Sequence, residues 1–227
     1  MKKVLFLIVA LMLLCSCNSG NGNRTENSNE SSQSEAKVDA ETEIEDQQDV
    51  YDGAEYVDLG LSVNWATYNV GAYTPESYGD YFAWGEHSTK GSFTEDNCTS
   101  YYHSCMDISG DIDYDAATLI CGEDWRIPTV AEFEELVSNC TWTREKLNGV
   151  DGYKVTGLNG NSIFLPAAGW RNDVNEINTS THGSYWTSTR DDYDLNYTYY
   201  MSFNETDYRI TTHRLHHGRS IRPVFSK

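Results

Sequence analysis

Gly122-Glu-Asp-Trp125-Arg-Ile-Pro128-Thr129-Val-Ala-Glu132-Phe133 is the stretch whose reading decides the fold. Trp125 to Ile127 reads as an extended segment stopped by Pro128. A helix then begins with Thr129 as N-cap and Glu132 at N3, the reciprocal pair that satisfies two orphan amides. This helix is expected over 130–138, and a shorter one over Ala116 to Ile120, behind the aspartates at 111, 113 and 115. Upstream, Tyr56 to Leu59 and Ser62 to Ala66 read as strands broken by Gly60. Downstream, Gly152 to Thr156 and Ser162 to Leu165 flank Gly157-Leu-Asn-Gly160, a hairpin turn. Tyr197, Tyr199, Met201 and Phe203 alternate with polar residues, the pattern of a half-buried strand. The run Gly218-Arg-Ser-Ile-Arg-Pro-Val224 reads as a short strand with Ile221 and Pro223 on one face, Ser220 and Arg222 on the other.

Two further runs complete the pattern, Asn159-Gly-Asn-Ser-Ile-Phe-Leu-Pro-Ala-Ala-Gly169 and Gly183-Ser-Tyr-Trp186-Thr-Ser188. Together with the Trp125 and Arg222 runs, they resemble the major paralogous domain of Bacteroidetes and Fibrobacter lipoproteins, which belongs to the broad C-type-lectin-like fold. The resemblance covers roughly residues 55 to 225. It implies an α+β domain with two helices, mixed and mostly antiparallel sheets and long loops. It implies little about activity, because this fold carries unrelated functions.

The N-terminus bears on compartment. Lys2 and Lys3 precede an apolar run from Val4 to Leu14, too short for a membrane span and suited to a signal-peptide core. Leu14-Cys15-Ser16-Cys17 resembles a bacterial lipobox, so residues 1–16 are expected to be a lipoprotein signal peptide and Cys17 the lipidated residue that ties the chain to a membrane. Residues 17–50 hold Asn, Ser, Glu, Gln, Gly and Asp with almost no apolar side chain, and are expected to form a disordered, acidic tether. Its reach is roughly 30 Å. Residues 51–227 suit one domain with a proper core. Localisation is expected in the cell envelope, as an outer-membrane lipoprotein; either face of that membrane is compatible with the sequence.

A formal net charge of −19 argues against nucleic acid and anionic headgroups as partners. Beyond the N-terminal pair, four cysteines remain. In an exported domain an even number reads as disulfides, and the favoured pairing is Cys98 with Cys105 and Cys121 with Cys140; a free Cys140 is the alternative. None is spaced as a CxxC, so zinc is disfavoured.

No enzyme motif survives inspection. The formylglycine-generating branch of the fold, which the Trp-Arg-Ile-Pro-Thr run resembles, needs a late cysteine pair, and no cysteine follows Cys140. His213, His216 and His217 have metal-ligand spacing, but solvated loop histidines are the preferred reading. Asp111-x-Asp113-x-Asp115 lacks the glycine and glutamate of a calcium loop, and reads instead as an acidic helix start. Neither a metal nor a cofactor is expected.

The segment from Thr187 to His217 is rich in Thr, Ser, Asp, Asn, Tyr, His and Arg and contains no Lys, Gln or Trp. Bounded by Trp186-Thr-Ser188 and Arg222-Pro-Val224, it resembles the variable region of lectin-like targets of diversity-generating retroelements. Ordinary loops of an exported β-rich domain share this composition, and both readings make the segment an exposed face. Arg190, Asp191, Asp192, Tyr193, Asp207, Tyr208, Arg209, Thr211, Thr212, His213, Arg214, His216 and His217 are the candidate ligand-binding residues, with Trp186, Phe203, Ile221 and Val224 buried beneath them. The expected function is a lipid-anchored, non-enzymatic binding protein for a protein or glycan partner. The alternative is a structural envelope lipoprotein with no diffusible ligand. Anchoring has a direct test: Cys17→Ala should abolish labelling by a fatty-acid probe, and persistent labelling would put the anchor elsewhere.

Overall fold

The computed structural model describes residues 55–227, all within one unit of the chain, Gln47–Lys227. The expected signal peptide, Cys17 and the tether lie outside the described residues. Among the described residues the architecture is α+β, with two α-helices and four small, antiparallel sheets.

The Trp125 run folds as its chemistry dictates. β3 (Trp125–Arg126) leads through Pro128 into α2 (Val130–Asn139), whose N-cap Thr129 accepts from the Glu132 amide at 3.3 Å while the Glu132 carboxylate accepts from the Thr129 amide at 2.8 Å. Arg126 forks onto the same carboxylate, at 2.8 Å and 2.5 Å, so strand and helix share one anchor. α1 (Ala116–Cys121) starts at Asp115, which is fully buried. Its carboxylate accepts four backbone N–H groups, from Gly110, Ala117, Thr118 and Ile127, and so ties a turn, a helix start and the exit of β3 to one side chain. This is the acidic helix start that the sequence implies, narrowed to a single aspartate.

β1 (Tyr56–Val57) and β2 (Val63–Ala66) meet the C-terminal β12 (Val224–Ser226) in a sheet ordered β1-β2-β12-β3. Among the described strands the first and the last thus both pair with β2, one on each side, and the Tyr56 and Phe225 rings stack at 5.2 Å. β4 (Thr141–Leu147), β5 (Val150–Thr156) and β6 (Ser162–Pro166) form a meander, with the expected turn at 157–160. β7 (Trp170–Asn172) pairs with β8 (Asn175–Ile177). β9 (Gly183–Arg190), β10 (Tyr197–Phe203) and β11 (Tyr208–Arg214) make the sheet that carries the Thr187 to His217 segment.

That last sheet separates two cores. Tyr185, Met201 and Phe203 join Trp65, Phe133 and Leu136 on one side. Trp186 and, at the margin, Tyr200 join Phe82, Trp84 and Ile221 on the other. The simple alternation expected along β10 slips, because a bulge between Thr198 and Tyr200 re-aims the strand and buries Thr198 completely while Tyr199 is only half-buried.

Two expectations are corrected here. The run from Gly218 to Pro223 is extended but outside any ladder, held by single bridges to Arg171, Phe82 and Tyr185. It threads between packed elements, so both of its faces are buried: Ser220 and Arg222 are as inaccessible as Ile221. The four cysteines are free thiols. Cys98 and Cys105 share one core without bonding, and the Cys98 thiol is instead within hydrogen-bond distance of Ser100 Oγ, at 3.2 Å. Cys121 packs beside Trp125 whereas Cys140 packs against the Trp65 core, so α2 stands between two separate environments rather than inside a disulfide loop.

Arg222 replaces those staples. Its guanidinium donates to Asn69 Oδ1 (2.9 Å) and to the carbonyls of Ala66 (3.0 Å), Thr67 (2.9 Å) and Phe164 (2.9 Å). Arg222→Met should strand these buried acceptors at about 1–3 kcal/mol each, a loss large enough to leave the domain largely unfolded in urea titrations. Arg222→Lys, with one donor point in place of a fork, should be intermediate; a variant as stable as the parent would refute this role.

Candidate ligand-binding site

The candidate residues of the C-terminal segment divide between two ends of one sheet. β10 and β11 are seven residues each, so their ends lie about 20 Å apart. At one end sits the 204–207 turn, where Asn204 Oδ1 accepts from the amides of Thr206 (2.8 Å) and Asp207 (2.9 Å). Asp207 and Arg209 are exposed there. Tyr208, though 37% exposed, stacks on Trp142 at 4.8 Å and 16°, and so belongs to the packing between sheets rather than to a free face.

At the other end, Asp191 to Asn196 forms a loop shaped by its own carboxylates. Asp191 Oδ1 accepts from the Tyr193 and Asp194 amides at 2.7 Å and 3.1 Å, and Asp194 Oδ1 from the Asn196 amide at 2.9 Å. These turns push Tyr193 out to 96% exposure and Leu195 to 48%, with Asp192 exposed beside them and Asp191 half-buried. The loop is laced to the rest: Leu215 N donates to Asn196 O at 3.3 Å, and Trp84 N to Leu215 O at 2.9 Å.

Arg190 corrects the sequence reading most sharply. It is 1% exposed, lies over the Trp84 ring, and donates from Nε to Leu195 O (2.7 Å) and from Nη1 to His103 O. Arg190 is therefore a brace under the face, not a contact on it. Its stem is amphipathic enough to be buried, and two carbonyls substitute for the solvent that its charge loses.

The brace brings in residues that sequence reasoning missed. His103 follows a 3-10 turn (Thr99–Tyr102) on which Tyr102 is 89% exposed. Next to it lies an open recess of about 250 Å³, lined by Gly85, Glu86, His87, Thr99, His103, Asp113 and Tyr114, among others. Glu86 closes one wall, accepting from the Thr99 amide (2.7 Å) and pairing with Lys90 (2.7 Å). Arg214, half-buried, pairs with Glu95 at 2.9 Å and covers Tyr197. The run containing Tyr102 and His103 reads in sequence only as a cysteine-bounded loop, and Gly85-Glu-His87 carries no motif at all. The tyrosine doublet Tyr101-Tyr102 was the one available signal.

The histidines are not solvated loop residues. His216 and His217 are buried and His213 is half-buried, as are Thr211 and Thr212. The Nδ1 atoms of His213 and His217 approach to 2.6 Å, and His216 Nδ1 meets the Tyr101 hydroxyl at 2.8 Å. Trp170 packs against both His213 and His217. Beside them, Arg219 is fully enclosed by Tyr200, Trp186 and Trp170, its carbon centre 3.9, 4.5 and 5.3 Å from their ring centroids. Its Nε and Nη1 hydrogen-bond to nothing among the described residues, and burial lowers its pKa to about 10. Among the described residues no group of three or more side chains is placed to hold a metal ion.

Burial, and then the Arg219 charge, hold His213 down to about 4 and push His217 lower still, while burial lowers His216 against a partial offset from Glu95. The unfolded chain takes up these protons near pH 6.5 and the folded chain does not, so stability is complete above that pH and falls as pH drops from 6.5 toward 4. The thermal midpoint should therefore fall between pH 7 and pH 5, and fall less in a His213→Gln, His217→Gln variant. Equal slopes for both proteins would contradict a neutral histidine cluster.

A family model described as a domain of unknown function (DUF8237) matches residues 141–224, from the start of β4 to the start of β12. No curated protein and no solved structure matches the chain.

Proposed function

We propose that this chain is a non-enzymatic binding module of C-type-lectin-like fold, carried on the cell envelope by lipid on Cys17, which takes a protein or glycan partner on the face around the 191–196 loop. One observation carries the reading. Tyr102 and Tyr193, 89% and 96% exposed, stand on segments whose undersides are fixed by buried Arg190 and Trp84. Large amphipathic rings on a rigid base are what a binding surface needs, since they supply contact area at little ordering cost. The two helices, and the closure of the N-terminal strands on β12, support the fold reading. The acidic balance of the chain supports a partner other than nucleic acid.

The geometry also narrows where sequence variation would serve recognition. Asp192 and Tyr193 are free to change, with half-buried Asp191 at the edge of the same loop. Arg190, Thr198, His216 and His217 are packed and would cost stability. Diversification is accordingly proposed for the loop and the exposed edge of β11, not for the whole segment.

Replacing Tyr102 and Tyr193 together by Ala should leave the thermal midpoint nearly unchanged. Affinity for a partner captured from bacterial surface proteins or a glycan array should fall by about 2 kcal/mol or more per anchor. Tyr208→Ala should do the reverse, lowering stability through the lost Trp142 stack while sparing binding. Parental affinity in the double variant would remove the proposed face.

A further inference from the structure

The recess beside the exposed tyrosines has its own chemistry, and what it takes follows from which of its groups are already occupied. Glu86 is spent on Thr99 and Lys90. Asn97 is spent as well: its Oδ1 accepts from the Thr94 amide and its Nδ2 donates to Ser92 O. Lys90, the nearest cation, is tied to Glu86 and to Asn97 O. By contrast, the Asp113 carboxylate, the Tyr114 hydroxyl and the imidazole nitrogens of His87 and His103 make no hydrogen bond among the described residues. His103 and Tyr114 also present two aromatic rings, with centroids 4.2 Å apart and planes inclined at 56°.

We infer that this recess binds a single neutral sugar ring, a conclusion that rests on the proposed binding face and specifies its ligand class. The volume, about 250 Å³, is below the ~300–1,000 Å³ of pockets for drug-sized ligands and suits one ring. A pyranose has an apolar C–H face and a rim of hydroxyls, each both donor and acceptor. The His103 and Tyr114 rings match the first. The Asp113 carboxylate, which can accept from two adjacent hydroxyls at once, matches the second, and the Tyr114 hydroxyl and histidine nitrogens complete the rim. Two carboxylates, Glu86 and Asp113, with the neighbouring cation neutralised, disfavour a uronic or sialic acid and any phosphate.

The walls are set before ligand arrives. Gly85 sits at φ +73°, a conformation that side chains rarely adopt, and a Cβ there would meet Ser100 Cβ at 3.1 Å. Ser100 Oγ in turn donates to the Trp84 carbonyl, and Arg190 holds the His103 carbonyl from beneath. Both sides of the recess are therefore built on buried groups, which reduces the ordering cost of binding.

The test uses the full chain and the methyl glycosides of glucose, mannose, galactose and N-acetylglucosamine, with methyl glucuronide as the charged control, in saturation-transfer NMR and titration calorimetry. At least one neutral glycoside should bind with Kd on the order of 1 mM, and the glucuronide at least tenfold more weakly. Asp113→Asn, an exposed and isosteric change, should weaken binding about tenfold without moving the thermal midpoint, and Tyr114→Phe should weaken it while keeping the ring. Tyr193→Ala should leave glycoside binding intact, which separates this site from the wider face. Absence of binding by all four neutral glycosides at about 10 mM overturns the inference, as does binding that is indifferent to both Asp113→Asn and Tyr114→Phe. A protein partner lost on removing Tyr102 and Tyr193, in a chain that binds no glycoside, would overturn the sugar site and leave the binding face standing.

Discussion

The fold depends on a buried cation, Arg222, whose guanidinium is held by backbone carbonyls and a side-chain amide. Arg222 reaches the exit of β2 through Ala66 and Thr67, a loop through Asn69, and β6 through Phe164, all from the segment that returns the chain to β12. A planar fork with five donors can satisfy acceptors on three separate segments at once, as no other side chain can. Leaving it half-satisfied would be worse than an apolar residue, so its four partners specify one relative placement of those segments. Arg190 repeats the device under the candidate face, and Arg219 offers a third version in which aromatic faces take the place of carbonyls. These three buried arginines, two held mainly by carbonyls and one by aromatic rings, organise a domain whose described cysteines form no disulfide.

Much of the fold was legible because its determinants are local. The capping box at Thr129 and Glu132, the aspartate start of α1 and the 157–160 turn are set by residues within a few positions of one another. Sequence reading failed where partners are distant. Ser220 and Arg222 read as one face of an alternating strand, yet elements from elsewhere in the chain cover both faces. The slip along β10 comes from a bulge against β9, which the hydrophobic period of β10 alone does not encode. Even cysteine number pointed to disulfides, but pairing requires proximity, and Cys121 and Cys140 face different cores.

The candidate site was legible by half. Polar composition identified the 191–196 loop, where Asx-type turns and exposure follow from the residues themselves. The same composition misplaced Arg190, His216 and His217, because a long or amphipathic side chain can be buried wherever carbonyls or rings are supplied by other segments. Tyr102, His103 and Tyr114 lie some eighty or ninety positions upstream of that loop and join it through contacts such as the Arg190 brace. A periodicity or a motif cannot report such a neighbour.

The strand order β1-β2-β12-β3 has a consequence for the making of the protein. β12 comes after the other described strands in the chain, yet it is an interior one, pairing with β2 on one side and β3 on the other. Until Val224 to Ser226 emerge, β2 and β3 have no common partner and the Trp65 core lacks Val224. The domain cannot complete its fold progressively from the N-terminus as it leaves the ribosome; it closes only once β12 has been made. A chain that stops before β12 would expose a gap between two strand edges, the kind of surface that proteolysis and aggregation act on first, so synthesis through β12 becomes a condition for persistence.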